Sequence, residues 1–377
     1  MKILYVTTIS MTLDYFLKGV MTDLVKAGNE VVAVSSPGEW MPSVKALEGV
    51  KVIEVPMERR ISPFKDLRSL WRLYKVIRAE RPDIVHSFTP KAGLLAMMAG
   101  SLAEIKIRVH TFTGLVFPTS TGLKKRLLMT TDRVTCSCAT HIIAEGQGVR
   151  KDLVDAGITR KDVNVLGHGN IRGIDMNWYD RSADVMELAD RLRVPGVFTF
   201  LFVGRVVRDK GISELVEAFK GLAAGNTRLV LVGPFEDDVD PVPEDVRKYI
   251  QEAPEIITTG EVLGKGLLAW YAASDCFVLP SYREGFPNTV LEAGAMGLPS
   301  IVTDINGSRE IISDRVNGLV VPTHNSEALL EAMRKMLIDD DFRTGAASVS
   351  REMISSRFEQ GYVRKCLYGF YKAIQTK

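Results

Sequence analysis

The sequence has 377 residues, 46% of them hydrophobic and 25% charged, with a net charge of +2 at pH 7. That length exceeds one ordinary hydrophobic core and suits two α/β domains of about 170–200 residues each, in a composition ordinary for a soluble enzyme. No stretch approaches the ~18 uninterrupted apolar residues of a membrane-crossing helix, and the four cysteines (Cys136, Cys138, Cys276, Cys366) form no C-x-x-C pair. They read as reduced thiols of a cytoplasmic protein, with neither a redox centre nor a metal site expected.

The chain opens on KILYVTT (2–8), which reads as a first buried strand rather than a signal peptide. Further strands are predicted at 30–36, 51–55, 83–87, 107–112, 141–145 and 163–167, with helices near 14–27, 65–80, 91–102, 122–139 and 146–156. Nearly continuous apolar strands alternating with helices imply a parallel sheet covered on both faces. The glycine- and asparagine-rich stretch 167–175 reads as a linker.

The alternation then restarts. Strands are predicted at 198–204, 228–233, 255–260, 275–281, 299–303 and 318–322, with helices between and after them and a last helix over 358–375. The expected class is α/β, with two Rossmann-like doubly wound domains. Such folds bind ligands at the carboxyl ends of their strands, so a cleft between the two sheets is the expected site.

Two stretches of the second half carry chemistry. In GRVVRDKG (204–211), Gly204 lets the backbone turn out of a strand, and Arg205 and Lys210 follow on the strand-to-helix loop. Two cations there suit a diphosphate, although a solvated basic loop would look the same. In REGFPNTVLEAGAMG (283–297), Pro287 fits the first turn of a helix and leaves the amides of Asn288, Thr289 and Val290 as donors for an anion. Glu284 precedes this helix, with Gly285 and Phe286 between it and Pro287, and Glu292 lies eight positions beyond Glu284. Carboxylates only accept hydrogen bonds, which suits the vicinal hydroxyls of a sugar or a ribose. A charge favouring the helix dipole at Glu284 and a solvated face at Glu292 are the alternatives.

These two stretches resemble the retaining GT-B-fold glycosyltransferases of family 4, also called group 1. That family carries a G-R-x₄-K-G element, here GRVVRDKG. It also carries a pair of glutamates with seven residues between them, here EGFPNTVLE. The resemblance implies two Rossmann-like domains facing a central cleft. Residues 1–170 would form the acceptor side, joined by a C-terminal helix (358–377) that crosses back, and residues 171–357 the donor side. It implies that Arg205 and Lys210 bind the donor diphosphate, Glu284 the transferred sugar and Glu292 the ribose, with backbone near Glu261 and Val262 meeting the base. It further implies a nucleotide-sugar donor, uridine being the usual base, and transfer of a hexosyl or N-acetylhexosaminyl group with retention. No cofactor and no metal ion are implied. Neither motif contains D-x-D, so the cations and the helix start would neutralise charge.

The first half is less typical, because the loop after its first strand, TTISMTLDYFLKG (7–19), has no glycine before Gly19. With PDIVHSFTPKAG (82–93) it is similar to members that build capsules and O-antigen-like surface polysaccharides on a lipid-diphosphate carrier. That resemblance implies a lipid-linked or oligosaccharide acceptor, with Asp14, His86 and Lys91 as acceptor-side candidates. His110, read as the end of a strand, is the candidate catalytic residue of this half, beside Glu284, Arg205 and Lys210 of the other; a satisfied histidine at a strand terminus is the alternative.

Residues 1–170 hold 24 Lys and Arg against 16 Asp and Glu, a charge of +8, and residues 171–377 hold 24 against 30, a charge of −6. The basic helix of 59–82, with Arg68, Arg72 and Lys75 at helical spacing, and Lys124, Lys125 and Arg126 could lie against the cytoplasmic face of an inner membrane. An ordinary amphipathic helix covering the sheet is the competing reading, and no nucleic-acid partner is expected. A sugar-nucleotide epimerase or a phosphorylase of the same fold is the alternative to a transferase. A non-catalytic partner subunit fits poorly with two cations and two glutamates all present, and a dehydrogenase fits worse without G-x-G-x-x-G.

Overall fold

The first sheet is built from β1 (Lys2–Val6), β2 (Glu30–Ser35), β3 (Val50–Glu54), β4 (Ile84–Phe88), β5 (Ile107–Phe112), β6 (His141–Ala144) and β7 (Val163–Asn164). A computed structural model of the chain describes residues 1–58, 62–222, 225–236 and 240–375. The strand order is β3-β2-β1-β4-β5-β6-β7 and every pairing is parallel. Successive residues of β1 feed opposite faces. Leu4 and Val6 join the core that contains Leu73 and Leu95, whereas Ile3 and Tyr5 join the one that contains Leu17 and Val20. Both faces are apolar because helices cover both, which is why no alternating polar pattern marks these strands.

The chain from Val363 onward belongs to this first unit, together with Met1–Arg172. In the Gln360–Gln375 helix, Leu367, Tyr371 and Ile374 complete the core around Ile3 and Tyr5. The Tyr371 hydroxyl lies 2.8 Å from that of Tyr5, and Arg364 pairs with Asp23 at 3.1 Å.

The second unit, Gly173–Tyr362, holds β8 (Phe198–Val203), β9 (Thr227–Val232), β10 (Ile256–Gly260), β11 (Cys276–Leu279), β12 (Ser300–Thr303) and β13 (Gly318–Val321). Its order is β10-β9-β8-β11-β12-β13, again parallel throughout. The strand order reverses direction between β8 and β11. At such a switch point the connecting loops diverge to opposite faces and leave a ligand crevice.

Three expected elements differ. The helix expected near 14–27 is instead a short Ser10–Thr12 turn, a π-helical turn over Leu13–Leu17 and an α-helix over Lys18–Lys26. The strand expected over 163–167 pairs only at Val163–Asn164, since a glycine-rich turn begins at Gly167 with φ of 56°. The helix before the last one runs through Phe358, so the last begins at Gln360.

Candidate active site

Both loops at the second sheet's switch point carry the residues singled out by the sequence. The backbone leaves β8 at Gly204, with φ of 154°, and passes Arg205 and Lys210 before entering the Ile212–Leu222 helix. The chain leaving β11 passes Ser281, Tyr282 and Glu284 before the Asn288–Ala295 helix. The two loops are locked together. Gly211 sits between Lys210 and its helix with φ of 69°, and a β-carbon there would stand 2.1 Å from the Pro280 carbonyl oxygen. The Tyr282 amide donates to the Asp209 carbonyl at 2.9 Å, and Arg283 pairs with Asp209 at 2.9 Å.

Lys210 and Glu284 meet directly. The lysine ammonium donates to Glu284 Oε1, which also accepts from Ser281 Oγ at 2.8 Å. Both side chains are mostly buried. Arg205 lies on the same loop, half exposed, and pairs with Glu236 at 2.8 Å. The structure therefore holds two cations at one sheet edge, each facing a carboxylate. An incoming diphosphate would compete with those carboxylates for the same donors.

The start of the Asn288–Ala295 helix differs in detail from the sequence reading. Pro287 is the residue before the first helical one, and Val290 donates its amide back to the Pro287 carbonyl at 3.2 Å. Val290 is also buried, so it drops out of the set of open donors. Gly285 and Phe286 lie on the approach to the helix, with the Phe286 ring buried against Phe358. Asn288 and Thr289 are half-buried at the helix start. Glu261 and Val262 follow β10 on an exposed loop at the same sheet edge.

The solvated-face alternative for Glu292 requires a correction. It is not a solvated residue, being only 2% exposed. Its Oε1 accepts from the Tyr179 hydroxyl at 2.7 Å and its Oε2 from Tyr271 at 3.1 Å. Nothing local marks this contact, because Tyr179 lies 113 positions away. Tyr282 was missed for the same reason. Its hydroxyl donates to the Glu214 carboxyl group at 2.6 Å, and its ring packs on His324 with centroids 3.7 Å apart. Burial pushes the Tyr282 hydroxyl up from its ordinary value, and the Glu214 bond adds to that.

In the first unit the histidines also need correction. His110 is not the last residue of its strand, since β5 runs on to Phe112. Its ring is 1% exposed, shares a hydrogen bond of 2.9 Å with Ser87 Oγ and abuts Gly93 so closely that a β-carbon there would overlap it. Burial pulls its pKa down to about 3. His86 is likewise buried within β4, bridging Tyr371 at 2.6 Å and Thr111 at 2.7 Å, with its pKa held well below 6.5 by burial. Both are buried and neutral. Lys91 stands at the first turn of the Pro90–Leu102 helix and pairs with Asp66 at 2.7 Å. Asp14 lies in the π-helical turn, 3.4 Å from Lys18.

The glycine-poor loop after β1 has a structural logic of its own. Thr8 Oγ1 lies 2.8 Å from Thr89 Oγ1 and accepts the amide of Ala92 at 3.2 Å, in the first turn of the Pro90–Leu102 helix. A side chain thus satisfies a helix-start donor that an open glycine loop would leave for a ligand.

Comparison with known proteins agrees with this arrangement. Residues 197–339 match the family described as glycosyl transferases group 1, and residues 16–169 match the glycosyl transferase 4-like domain. The chain belongs to this family of GT-B-fold glycosyltransferases, so the resemblance read from 204–211 and 283–297 holds.

Among its relatives, the capsular polysaccharide biosynthesis glycosyltransferase CapM of Staphylococcus aureus is 28% identical over 98% of this chain and 96% of its own. An Escherichia coli UDP-Gal:alpha-D-GlcNAc-diphosphoundecaprenol alpha-1,3-galactosyltransferase is 26% identical over 78% of this chain and 76% of its own. The fold is shared with HepE of Anabaena, solved in complex with UDP and glucose. The two align with a TM-score of 0.80 at 19% identity, over 99% of this chain and 100% of that one.

Proposed function

We propose that this glycosyltransferase moves a sugar from a uridine diphosphate donor, with retention, onto a lipid-diphosphate-linked acceptor during surface polysaccharide synthesis. The observation that carries the donor half is the meeting of Lys210 and Glu284 at the switch point of the second sheet, with Arg205 on the same loop. Relatives support the acceptor half: one serves capsular polysaccharide biosynthesis, and another uses UDP-galactose and a diphosphoundecaprenol-linked sugar. Membership in a transferase family favours transfer over the epimerase and phosphorylase readings.

As the bond from the anomeric carbon to the diphosphate breaks, negative charge grows on the leaving phosphate oxygen. Arg205, Lys210 and the donors at the start of the Asn288–Ala295 helix are placed to meet that charge, and stabilisation of developing charge is what lowers a barrier. With Lys210 drawn onto phosphate, Glu284 is released to accept hydrogen bonds from the hydroxyls of the transferred sugar. The acceptor hydroxyl attacks from the face the diphosphate leaves, and the leaving phosphate oxygen takes its proton. The transferred group is a hexosyl or N-acetylhexosaminyl residue, and the protein works at the cytoplasmic face of the inner membrane.

The test is Lys210→Ala. Loss of one such donor lowers kcat/KM for the sugar nucleotide by about 10²–10³-fold. An unchanged kcat/KM would remove Lys210, and with it the proposed donor site, from the mechanism.

A further inference from the structure

The residues assigned to the acceptor by the sequence are engaged elsewhere: His86 is buried and Lys91 and Asp14 are ion-paired. The first unit nevertheless has a cavity of about 650 Å³, lined among others by Ile9, Ser36, Pro37, Lys65, Arg68 and Arg72. Ile9 follows β1, Ser36 and Pro37 follow β2, and the three cations stand on the Pro63–Glu80 helix that follows β3. The cavity therefore lies at the carboxyl edge of the sheet, where folds of this class take their ligands.

Lys65, Arg68 and Arg72 recur at helical spacing, so they project from one face of that helix. Lys65 is paired with Glu58 at 2.7 Å. Arg68 and Arg72 pair with no carboxylate among the described residues. Two unpaired guanidinium groups over a cavity of this size suit a diphosphate, which each can grip with two parallel bonds. Arg59 and Arg60, counted with this basic stretch in the sequence, lie outside the described residues.

The neighbouring face of the same helix is apolar and uncovered. Phe64 is 91% exposed, Leu67 66% and Trp71 56%, and Leu102 of the next helix is 63% exposed. With Leu70 and Tyr74, three of these residues (Leu67, Trp71 and Leu102) line an apolar groove of about 500 Å³. Trp71 stacks on Tyr74, and Lys75 sits over the Trp71 ring at 5.3 Å. An anion site and an apolar groove on adjoining faces of one helix match a ligand with a charged head joined to a hydrocarbon tail.

We infer that Arg68 and Arg72 hold the diphosphate of a polyprenyl-diphosphate-linked acceptor in this cavity, while its hydrocarbon lies in the Leu67–Trp71–Leu102 groove. This rests on the proposed function and gives the acceptor's charged head and lipid a place in the first unit. Charge complementarity selects the head, and the unpaired arginines contribute more than the already paired Lys65.

The test is binding of farnesyl diphosphate to the full chain, measured by calorimetry in the presence of excess UDP, beside inorganic pyrophosphate and farnesol as separate arms. Farnesyl diphosphate binds; pyrophosphate binds at least about tenfold more weakly; farnesol does not bind. The double substitution Arg68→Ala with Arg72→Ala weakens farnesyl diphosphate at least about tenfold, a change that one lost charge-assisted contact can supply. Trp71→Ala weakens farnesyl diphosphate and leaves pyrophosphate unchanged. UDP binding stays the same in every variant, which reports intact folding. Equal binding of farnesyl diphosphate by wild type and the double arginine variant overturns the assignment. So does equal binding of pyrophosphate and farnesyl diphosphate. Sugar transfer to a lipid-diphosphate acceptor with an unchanged acceptor KM in the arginine variant overturns this site and leaves the proposed function standing. Arginine-dependent binding without any such transfer supports the site and overturns the proposed function alone.

Discussion

Glu292 shows how a residue can be found by its spacing while its partners stay hidden. Its distance from Glu284 identifies the family motif, yet its side chain is closed in by Tyr179 and Tyr271. Removing an acceptor from two buried hydroxyls costs about 1–3 kcal/mol for each one left unsatisfied. Glu292→Ala is therefore expected to lower unfolding free energy by about 2–6 kcal/mol in denaturant titration. A variant of unchanged stability with only a raised donor KM would mean that Glu292 serves the ribose and not the fold. His110 and His86 carry a second prediction at this scale. Burial lowers both pKa values in the folded state, to about 3 for His110, so the unfolded chain binds the protons first as pH falls below 6.5. Their contribution to stability is complete above pH 6.5 and is lost on acidification, at up to about 1.4 kcal/mol per pH unit for each. Stability measured at pH 7 and pH 5 should fall less steeply in His110→Asn than in wild type. Equal slopes would mean that His110 takes up its proton without unfolding.

At the scale of elements, the strands were the most legible part of the sequence, because burial on both faces leaves a plain apolar run at each. Helices with a regular apolar stripe were legible too, Pro63–Glu80 among them. The π-helical turn at Leu13–Leu17 was not, since its extra residue per turn leaves the local composition helical. Arg205, Lys210 and Glu284 were readable from order and spacing within two short stretches. Glu236, which pairs with Arg205, and Asp209, which pairs with Arg283, were not, because nothing local marks a carboxylate that meets its cation across two loops. Gly211 ties those loops together, and its position was legible only as part of a motif. Gly211→Ala combines a left-handed backbone with an overlap against the Pro280 carbonyl. It is expected to destabilise the second unit by at least about 1–2 kcal/mol and to displace Lys210 from Glu284. An alanine variant with wild-type melting temperature and full activity would show that the two loops are not coupled through this position.

Across the whole molecule, one chain makes two parallel sheets by the same rules and gives them different chemistry. The second sheet's switch point is polar and paired, with cations facing carboxylates that a diphosphate can displace. At the first sheet, the loop after β1 caps its neighbour with Thr8, and the exposed cations gather on the Pro63–Glu80 helix instead. The +8 charge of residues 1–170 includes these exposed cations, whereas the remainder carries −6. Group transfer is the central claim, and mass spectrometry reads it directly. The protein is incubated with UDP-sugars and a synthetic sugar-diphosphate-lipid acceptor. The predicted result is an acceptor heavier by one glycosyl residue, with free UDP released in equal amount. A donor converted to its epimer with the acceptor mass unchanged, or no donor consumed at all, would contradict it.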